Sequence, residues 1–329
     1  MTQTILKWGL LSTARINRVI NHALKASPSN QLTAVASRSF EKASTYAHQW
    51  KIPKPYGSYD ELLQDPEIDV IYISLPNHLH AEWTIKCLEA GKHVLCEKPL
   101  ALETAHVDRI IDTSIKAGKL VMEAFMYRHH PQTAKVVELI NQGAIGKLQF
   151  IRGSFTFNIK NEDDIRLKKE FGGGSIWDVG CYPLSFARLL VGQEPEKVIG
   201  NAIMNSAGVD ESFFGQLIFP NQVVVQFDTG FRSPARTVME VVGSDGSIHI
   251  PEPFKPGEKY SFILQRNKDI KKIKGKGIEL YSGEIENLSK SIINQTAPLI
   301  SLEDSKANIK SINALISSAE SGHWVILDE

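Results

Sequence analysis

The chain has 329 residues, 42% hydrophobic and 22% charged, and its 37 Lys and Arg balance 37 Asp and Glu to a formal net charge of zero. That length exceeds one ordinary core and suits two domains, and the balanced charge excludes a global field for nucleic acid or an anionic membrane, so an anionic ligand must be caught locally. The three cysteines, Cys87, Cys96 and Cys181, lack paired metal spacing and read as reduced, small apolar residues, and no apolar run nears the roughly 18 residues of a membrane span.

The N-terminus lacks a charged segment followed by a long apolar core, so no secretion signal and a cytoplasmic location are expected. Residues 5–11 form an apolar strand, after which Ile16, Val19, Ile20, Ala23 and Leu24 recur at helical spacing through 15–26. A strand at 32–37 and a helix at 40–50 follow, and Ser58 with Glu61 three residues later forms a capping box opening a short helix. The alternation continues with a strand at 70–75, a helix at 81–90 stopped by Gly91, a strand at 94–96, a helix at 104–117 stopped by Gly118, and a strand at 120–124. Alternation at this spacing predicts right-handed βαβ units and a mostly parallel sheet with helices on both faces.

Pro131 opens a bridging helix ending near Gly143, and the texture then changes. Strands at 148–158, 198–205, 212–219, 223–231 and 238–242 look like one half-buried antiparallel sheet, interrupted by helices at 176–190 and 302–320, the last carrying Ala307, Ile309, Ile312, Leu315 and Ile316. Lys268, Lys271, Lys272, Lys274 and Lys276, around turn glycines Gly275 and Gly277, read as a solvated hairpin edge rather than a nucleic-acid patch. The expected fold is α/β: an N-terminal Rossmann doubly wound parallel sheet at 1–125, then an α+β domain at 126–329 with a large, mostly antiparallel open-faced sheet. The last helix is expected to pack back toward the first domain.

In the first strand-to-helix turn, Ser12, Ala14 and Asn17 stand where a G-x-G-x-x-G fingerprint has glycines. Ser12, Thr13 and Ala14 are small enough for a backbone to approach a pyrophosphate at a helix N-terminus, and two of them add hydroxyl donors; the alternative is an ordinary tight turn. After the second strand comes Ser37-Arg38-Ser39, with no acid before Glu41. A guanidinium flanked by hydroxyls suits the 2′-phosphate of NADP, whereas NAD calls for a carboxylate there. Arg15 is placed to assist; the alternative is a plain surface arginine at position 38, which leaves NAD possible.

Glu97-Lys98-Pro99 follows the apolar run at 93–96, so the Lys98 ammonium lies at the mouth of the sheet, where open α/β folds bind ligands. Pro99 biases Lys98 toward an extended conformation that aims it; the alternative is a loop lysine in water. Asp178 and Tyr182, four apart at the start of a predicted helix, share one face, and Gly172 to Gly174 let the backbone come close to a ligand. A phenol of pKa about 10 is a poor base at neutral pH, but beside Lys98 it would be drawn toward phenolate, making Tyr182 a general base, or an acid in reduction. Asp178 would hold a substrate hydroxyl. The plainer alternative is a core aromatic and a helix N-terminal charge. Neither His78 with His80 nor His129 with His130 has the spacing of helical metal ligands, so no metal is assigned.

The segments 73–80, 91–99, 123–128 and 172–182, which hold Pro76-Asn77, Glu97-Lys98-Pro99, Tyr127-Arg128 and Asp178 with Tyr182, resemble the glucose-fructose oxidoreductase / inositol dehydrogenase (Gfo/Idh/MocA) family. The resemblance spans nearly the whole chain and departs at the glycine turn. It implies an N-terminal Rossmann domain, a C-terminal open-faced sheet that often makes a dimer interface, and a nicotinamide cofactor. Tyr182, where many members have histidine, is similar to the tyrosine branch of dihydrodiol and D-xylose dehydrogenases, commonly NADP-preferring. Cofactor contacts are then expected from Ser12, Thr13, Ala14, Arg15, Ile16, Ser37 and Arg38, and from Leu75, Pro76, Asn77, His80, Glu97, Lys98 and Arg128, with Asn77 and His80 lining nicotinamide and ribose. The expected protein is an NADP-preferring oxidoreductase moving hydride between nicotinamide and the hydroxyl carbon of a sugar, polyol or trans-dihydrodiol, with Lys98, Tyr182 and Asp178 catalytic. A homodimer or dimer-based oligomer through the C-terminal sheet is expected, without nucleic-acid or membrane partners. The alternative class is a non-catalytic NADP-binding regulator.

Overall fold

The computed structural model describes residues 4–327. The chain divides into two compact units, Met1–Met126 with Tyr281–Lys306, and Tyr127–Leu280 with Ala307–Glu329.

The first unit holds a six-stranded parallel sheet of β1 (Leu6–Leu11), β2 (Asn30–Ala36), β3 (Lys54–Tyr56), β4 (Val70–Ile73), β5 (His93–Glu97) and β6 (Val121–Ala124) in the order β3-β2-β1-β4-β5-β6. Strands are added in one direction from β1 to β3 and in the other from β4 to β6, so the order reverses between β1 and β4, the kind of switch point at which open α/β sheets bind ligands. Every residue of β4 is buried, as are Val94, Leu95 and Cys96 of β5, which is why both read as continuous apolar runs. The helices are α1 (Asn17–Ala26), α2 (Phe40–Trp50), α3 (Tyr59–Leu63), α4 (His80–Glu89) and α5 (Thr104–Ala117). The Ser58 hydroxyl accepts the Glu61 amide at 3.2 Å, but the Glu61 carboxylate takes the amide of Gly57 at 3.0 Å, so the capping box closes one residue earlier than its sequence form implies. The short β3, with Pro55 at its centre, sits on the sheet edge, where a proline is tolerated.

In the second unit, α6 (Pro131–Asn141) is opened by Pro131 as expected, and the His130 ring caps it by accepting the Gln132 amide at 3.1 Å. A nine-stranded sheet follows, of β7 (Leu148–Asn158), β8 (Lys197–Met204), β9 (Asp210–Ile218), β10 (Val224–Gly230), β11 (Arg232–Gly243), β12 (Gly246–Ile250), β13 (Lys259–Arg266), β14 (Asp269–Lys276) and β15 (Val325–Ile326), in the order β14-β13-β12-β11-β7-β10-β9-β8-β15. Only β7 and β10 pair in parallel; the other neighbours are antiparallel. The lysine-rich segment is the exposed edge strand β14, but its glycines are not the turn. Gly275 is paired within the strand to Tyr260, and the reversal is made by Asn267, with φ 53°, and Lys268.

The helix expected over 176–190 is a π-helical turn, Ile176–Gly180, running into α7 (Cys181–Val191). Arg188 of α7 is buried and binds both Glu194 carboxylate oxygens at 2.6 Å, a bidentate pair that fixes the end of the helix. α8 (Ser282–Asn294), absent from the sequence reading, belongs to the first unit, where the Ser289 hydroxyl donates to Asn30 Oδ1 at 2.7 Å. α9 (Leu302–Ser321) begins in the first unit, Lys306 pairing with Asp108 of α5 at 2.6 Å, and continues in the second. No helix among the described residues is long and apolar enough to cross a membrane.

Candidate active site

In a parallel sheet all carboxyl ends lie along one edge, so the segments after β1, β2, β4 and β5 are gathered there by topology. After β1, Ser12 has φ 102°, a backbone region that favours glycine. Its hydroxyl compensates locally, accepting the Ala14 amide at 3.1 Å and meeting the Ser74 hydroxyl at 2.9 Å. Asn17, fully buried where the fingerprint's third glycine would be, donates to the Ser12 carbonyl at 2.8 Å and accepts the Ser74 hydroxyl at 2.6 Å. The non-glycine residues thus lock one another, and the Ser12 hydroxyl expected to serve a ligand is turned into this network. Thr13, Ala14 and Ile16 are half-buried and Arg15 is exposed. α1 carries no acidic residue in its first turn and no side-chain cap, which leaves its positive end open to an anion.

After β2, Ser37 is buried and Arg38 exposed, while Ser39 caps α2 through the Lys42 amide at 3.4 Å. Burial pushes the Tyr59 phenol up, and the Arg38 guanidinium opposes it, which puts these two side chains in electrostatic reach. After β4, Leu75 is buried and Pro76 and Asn77 half-buried. The His80 ring is buried, with Nε2 2.7 Å from the Leu75 carbonyl and Nδ1 2.7 Å from that of Pro99, so both ring nitrogens are engaged by the backbone. After β5, the Glu97 carboxylate accepts the Tyr72 hydroxyl, Lys98 is half-buried, and Leu100 donates its amide to Glu123 Oε1 at 2.8 Å. Burial, then Glu97 and Glu284, drive the Tyr72 phenol far above its usual range, so that hydroxyl remains a donor.

The second unit brings Asp178, Tyr182 and Arg128 onto neighbouring turns. Tyr182 is buried among rings, 5.3 Å from Phe155, 5.6 Å from Phe254 and 5.9 Å from Tyr127 between centroids. Ser185, one turn on, receives Tyr127 Oη at 3.0 Å and Arg128 Nη1 at 3.2 Å. Asp178 forms an ion pair through Oδ2 with Arg166 Nε at 3.0 Å, and Arg166 also binds Asp164 at 3.1 Å.

Two glycines of the run answer a packing requirement within the second unit. A Cβ on Gly173 would lie 2.5 Å from the Arg166 carbonyl oxygen, and one on Gly174, at φ 122°, would lie 2.4 Å from Asp210 Oδ1. Gly173 and Gly174 thus admit the Arg166 turn and a buried carboxylate. Asp210 in turn accepts the Ser175 hydroxyl at 2.5 Å and the Ile176 amide at 2.8 Å, pinning the start of the π-helical turn. Arg166, Asp210, Ser74 and Ser185 were not found by sequence reasoning. Arg166 sits in a charged stretch at 161–170 with no spacing to single it out, and only the adjoining glycines hint at a close approach. Among the described residues no group of three His, Cys, Asp or Glu could hold a metal ion.

The oxidoreductase family model with an NAD-binding Rossmann fold (GFO_IDH_MocA) matches residues 7–125, and that of the GFO/IDH/MocA C-terminal domain matches residues 133–249. The chain is 33% identical to a D-xylose 1-dehydrogenase (NADP(+)) of Haloferax volcanii, over 98% of this chain and 100% of the relative. It is 34% identical to a trans-1,2-dihydrobenzene-1,2-diol dehydrogenase of Xenopus tropicalis, over 91% of this chain and 94% of the relative. Among solved structures, a 3-ketoreductase of Actinomadura kijaniata in complex with NADP and TDP-benzene superimposes with a TM-score of 0.91 at 28% identity, covering 96% of this chain and 98% of its own.

Proposed function

The chain belongs to the Gfo/Idh/MocA oxidoreductase family, and from that premise we propose an NADP-dependent dehydrogenase or reductase acting on a CH–OH group of a sugar, polyol or trans-dihydrodiol. The observation that carries this reading is the alignment of the Ser12–Ile16 turn, Arg38 and Lys98 along the carboxyl edge of one parallel sheet, after β1, β2 and β5. The uncapped positive end of α1 suits a pyrophosphate and the exposed Arg38, with no acid before Glu41, suits a 2′-phosphate. Leu75, Pro76, Asn77, Glu97 and Arg128 complete the expected cofactor side. When bound, the nicotinamide supplies the hydride acceptor or donor.

The chain's own residues handle the proton. In this reading Tyr182 takes the substrate hydroxyl proton in oxidation or returns one in reduction, and Lys98 is assigned the positive charge that would favour its phenolate. Asp178 orients a substrate hydroxyl. The related ketoreductase has also been solved with a lysine and a tyrosine replaced, and those two positions stand as far apart in its chain as Lys98 and Tyr182 do here. Relatives named as dehydrogenases and reductases of sugars and diols support an enzyme over a cofactor-sensing regulator. The reading includes a cytoplasmic homodimer formed through the second unit's sheet, supported by Ile203, Met204 and Phe214, which are 44%, 56% and 47% exposed; sedimentation at micromolar concentration tests that part.

The central test is a screen of NADP reduction and NADPH oxidation over aldoses, inositols, trans-dihydrodiols and dicarbonyls, followed by Lys98→Met. Loss of one proton-transfer partner lowers kcat by about 10²- to 10⁴-fold, a larger effect than the one on NADPH affinity. Unchanged turnover removes Lys98 from the mechanism. Tight NADPH binding with no turnover of any substrate would favour the regulator.

A further inference from the structure

Arg166 occupies the centre of a one-turn 3₁₀ segment, Ile165–Leu167, and grips the Asp178 segment twice. Its carbonyl accepts the Gly174 amide at 2.8 Å, and its Nε lies 3.0 Å from Asp178 Oδ2. The backbone contact would be met by any residue at that position; the ion pair requires a cation. The guanidinium divides its charge between Asp178 and Asp164, and its Cζ lies 6.0 Å from the Phe157 ring centroid. Asp178 first, then Asp164 and Tyr182, hold the pKa of the 45% exposed Arg166 side chain above its usual value against partial desolvation, which places the guanidinium in electrostatic reach of the phenol.

The charges around Tyr182 make this contact consequential. Its ring neighbours Tyr127, Phe155 and Phe254 are neutral. Charged groups of the second unit around it include Asp178 one turn before, Arg166 with Asp164 beyond, Arg128 on Ser185, and Lys255, whose Nζ lies 5.6 Å from the Phe155 centroid. An uncompensated Asp178 carboxylate would oppose ionisation of a phenol four residues away, and a guanidinium paired to it cancels that field.

We propose that Arg166 is a positioning residue for proton transfer: its ion pair fixes the orientation of Asp178 and offsets that carboxylate's repulsion of a Tyr182 phenolate. The inference rests on the reading of Tyr182 as the proton-transferring group, and its test is made on the full chain without substrate. Ring-labelled tyrosine NMR follows the titration of Tyr182, assigned by loss of its signal in Tyr182→Phe. In Arg166→Met the Tyr182 pKa is expected to rise by about one unit or more, with Arg166→Lys recovering part of the shift. Asp178→Asn, which keeps the side-chain shape and removes the charge, is expected to lower it, which keeps the idea testable should Arg166→Met fail to fold. A rise below about 0.5 unit in a folded Arg166→Met, or no fall in Asp178→Asn, overturns the proposal. Failure of every sugar and diol in the turnover screen would instead sink the redox reading while leaving this titration unaffected.

Discussion

His80 Nδ1 lies 2.7 Å from the carbonyl oxygen of Pro99, and the same ring reaches the Leu75 carbonyl with Nε2 at 2.7 Å. One imidazole therefore ties the turn after β4 to the turn after β5, the segments that carry Asn77 and Lys98. Burial pulls its pKa below the ordinary histidine value, the two carbonyl contacts oppose this, and the nearby Lys98 and His78 charges reinforce it. His80→Ala removes a buried ring and the hydrogen bond that its one N–H in the neutral form donates to a backbone carbonyl, so it should cost about 2–4 kcal/mol in urea unfolding. His48→Ala, on the exposed face of α2, should stay within about 0.5 kcal/mol. Equal midpoints for the two variants would deny His80 its tethering role.

Arg38 is exposed at the end of β2, with Ser37 buried beside it and Ser39 engaged in capping α2. That leaves the guanidinium as the charged group available to a 2′-phosphate there. Arg38→Glu should weaken NADPH binding by about 10- to 100-fold, the loss of a charge-assisted hydrogen bond plus repulsion, and leave NADH binding unchanged or improved. Fluorescence titration of both nucleotides decides it. Tenfold tighter NADH in the unaltered protein would overturn the NADP assignment.

Asp210 is 6% exposed, and burial raises its pKa to about 6 against the hydrogen bonds from Ser175 and Ile176. The ordinary value is 3.8, so the folded state holds this proton more tightly than the unfolded chain. The resulting stabilisation is fully present below the unfolded pKa and is lost as pH rises through about 6. Asp210→Asn keeps an oxygen acceptor and does not ionise. Relative to the unaltered protein it should therefore gain about 1.4 kcal/mol between pH 5 and pH 8. A stability difference that stays flat between those pH values in chemical unfolding would show that Asp210 does not titrate in this range.

The parts of this molecule legible in its sequence are those where one physical requirement leaves one pattern. Doubly buried β4 and β5 demand unbroken apolar runs, and α2 and α5 begin and end where their residues predict, Phe40–Trp50 and Thr104–Ala117. α8 escapes because its buried positions include Glu284, Ser289 and Ser291 beside Ile285 and Leu288, so polar burial erases the apolar period. At the candidate site, residue types are visible but their partners are not. His80 could face a ligand or two carbonyls, and Ser12 could offer its hydroxyl outward or to Ser74; only tertiary contacts decide between them. Arg166 is hidden for the same reason, since its meaning comes from Asp178, twelve residues on and across a glycine run.

That glycine run gives a prediction with its own control. A Cβ on Gly173 would meet two backbone oxygens, Arg166 at 2.5 Å and Lys168 at 2.7 Å, neither of which can swing aside as a side chain could. Gly173→Ala must therefore push the Arg166 turn away from the segment bearing Asp178, a packing strain of about 1–3 kcal/mol. Gly192 has a positive φ, 70°, which Gly173 does not, and a Cβ there meets nothing within 4 Å, so Gly192→Ala carries only the left-handed backbone cost of about 1–2 kcal/mol. The two variants can thus have similar melting behaviour and still differ in chemistry. Gly173→Ala should lower kcat by at least about tenfold, the penalty for a displaced catalytic group, with a smaller effect on NADPH affinity, whose expected contacts come mostly from the first unit's turns. Gly192→Ala should keep kcat within about twofold. Equal turnover in both would mean that the spacing between Arg166 and Asp178 is irrelevant to the reaction.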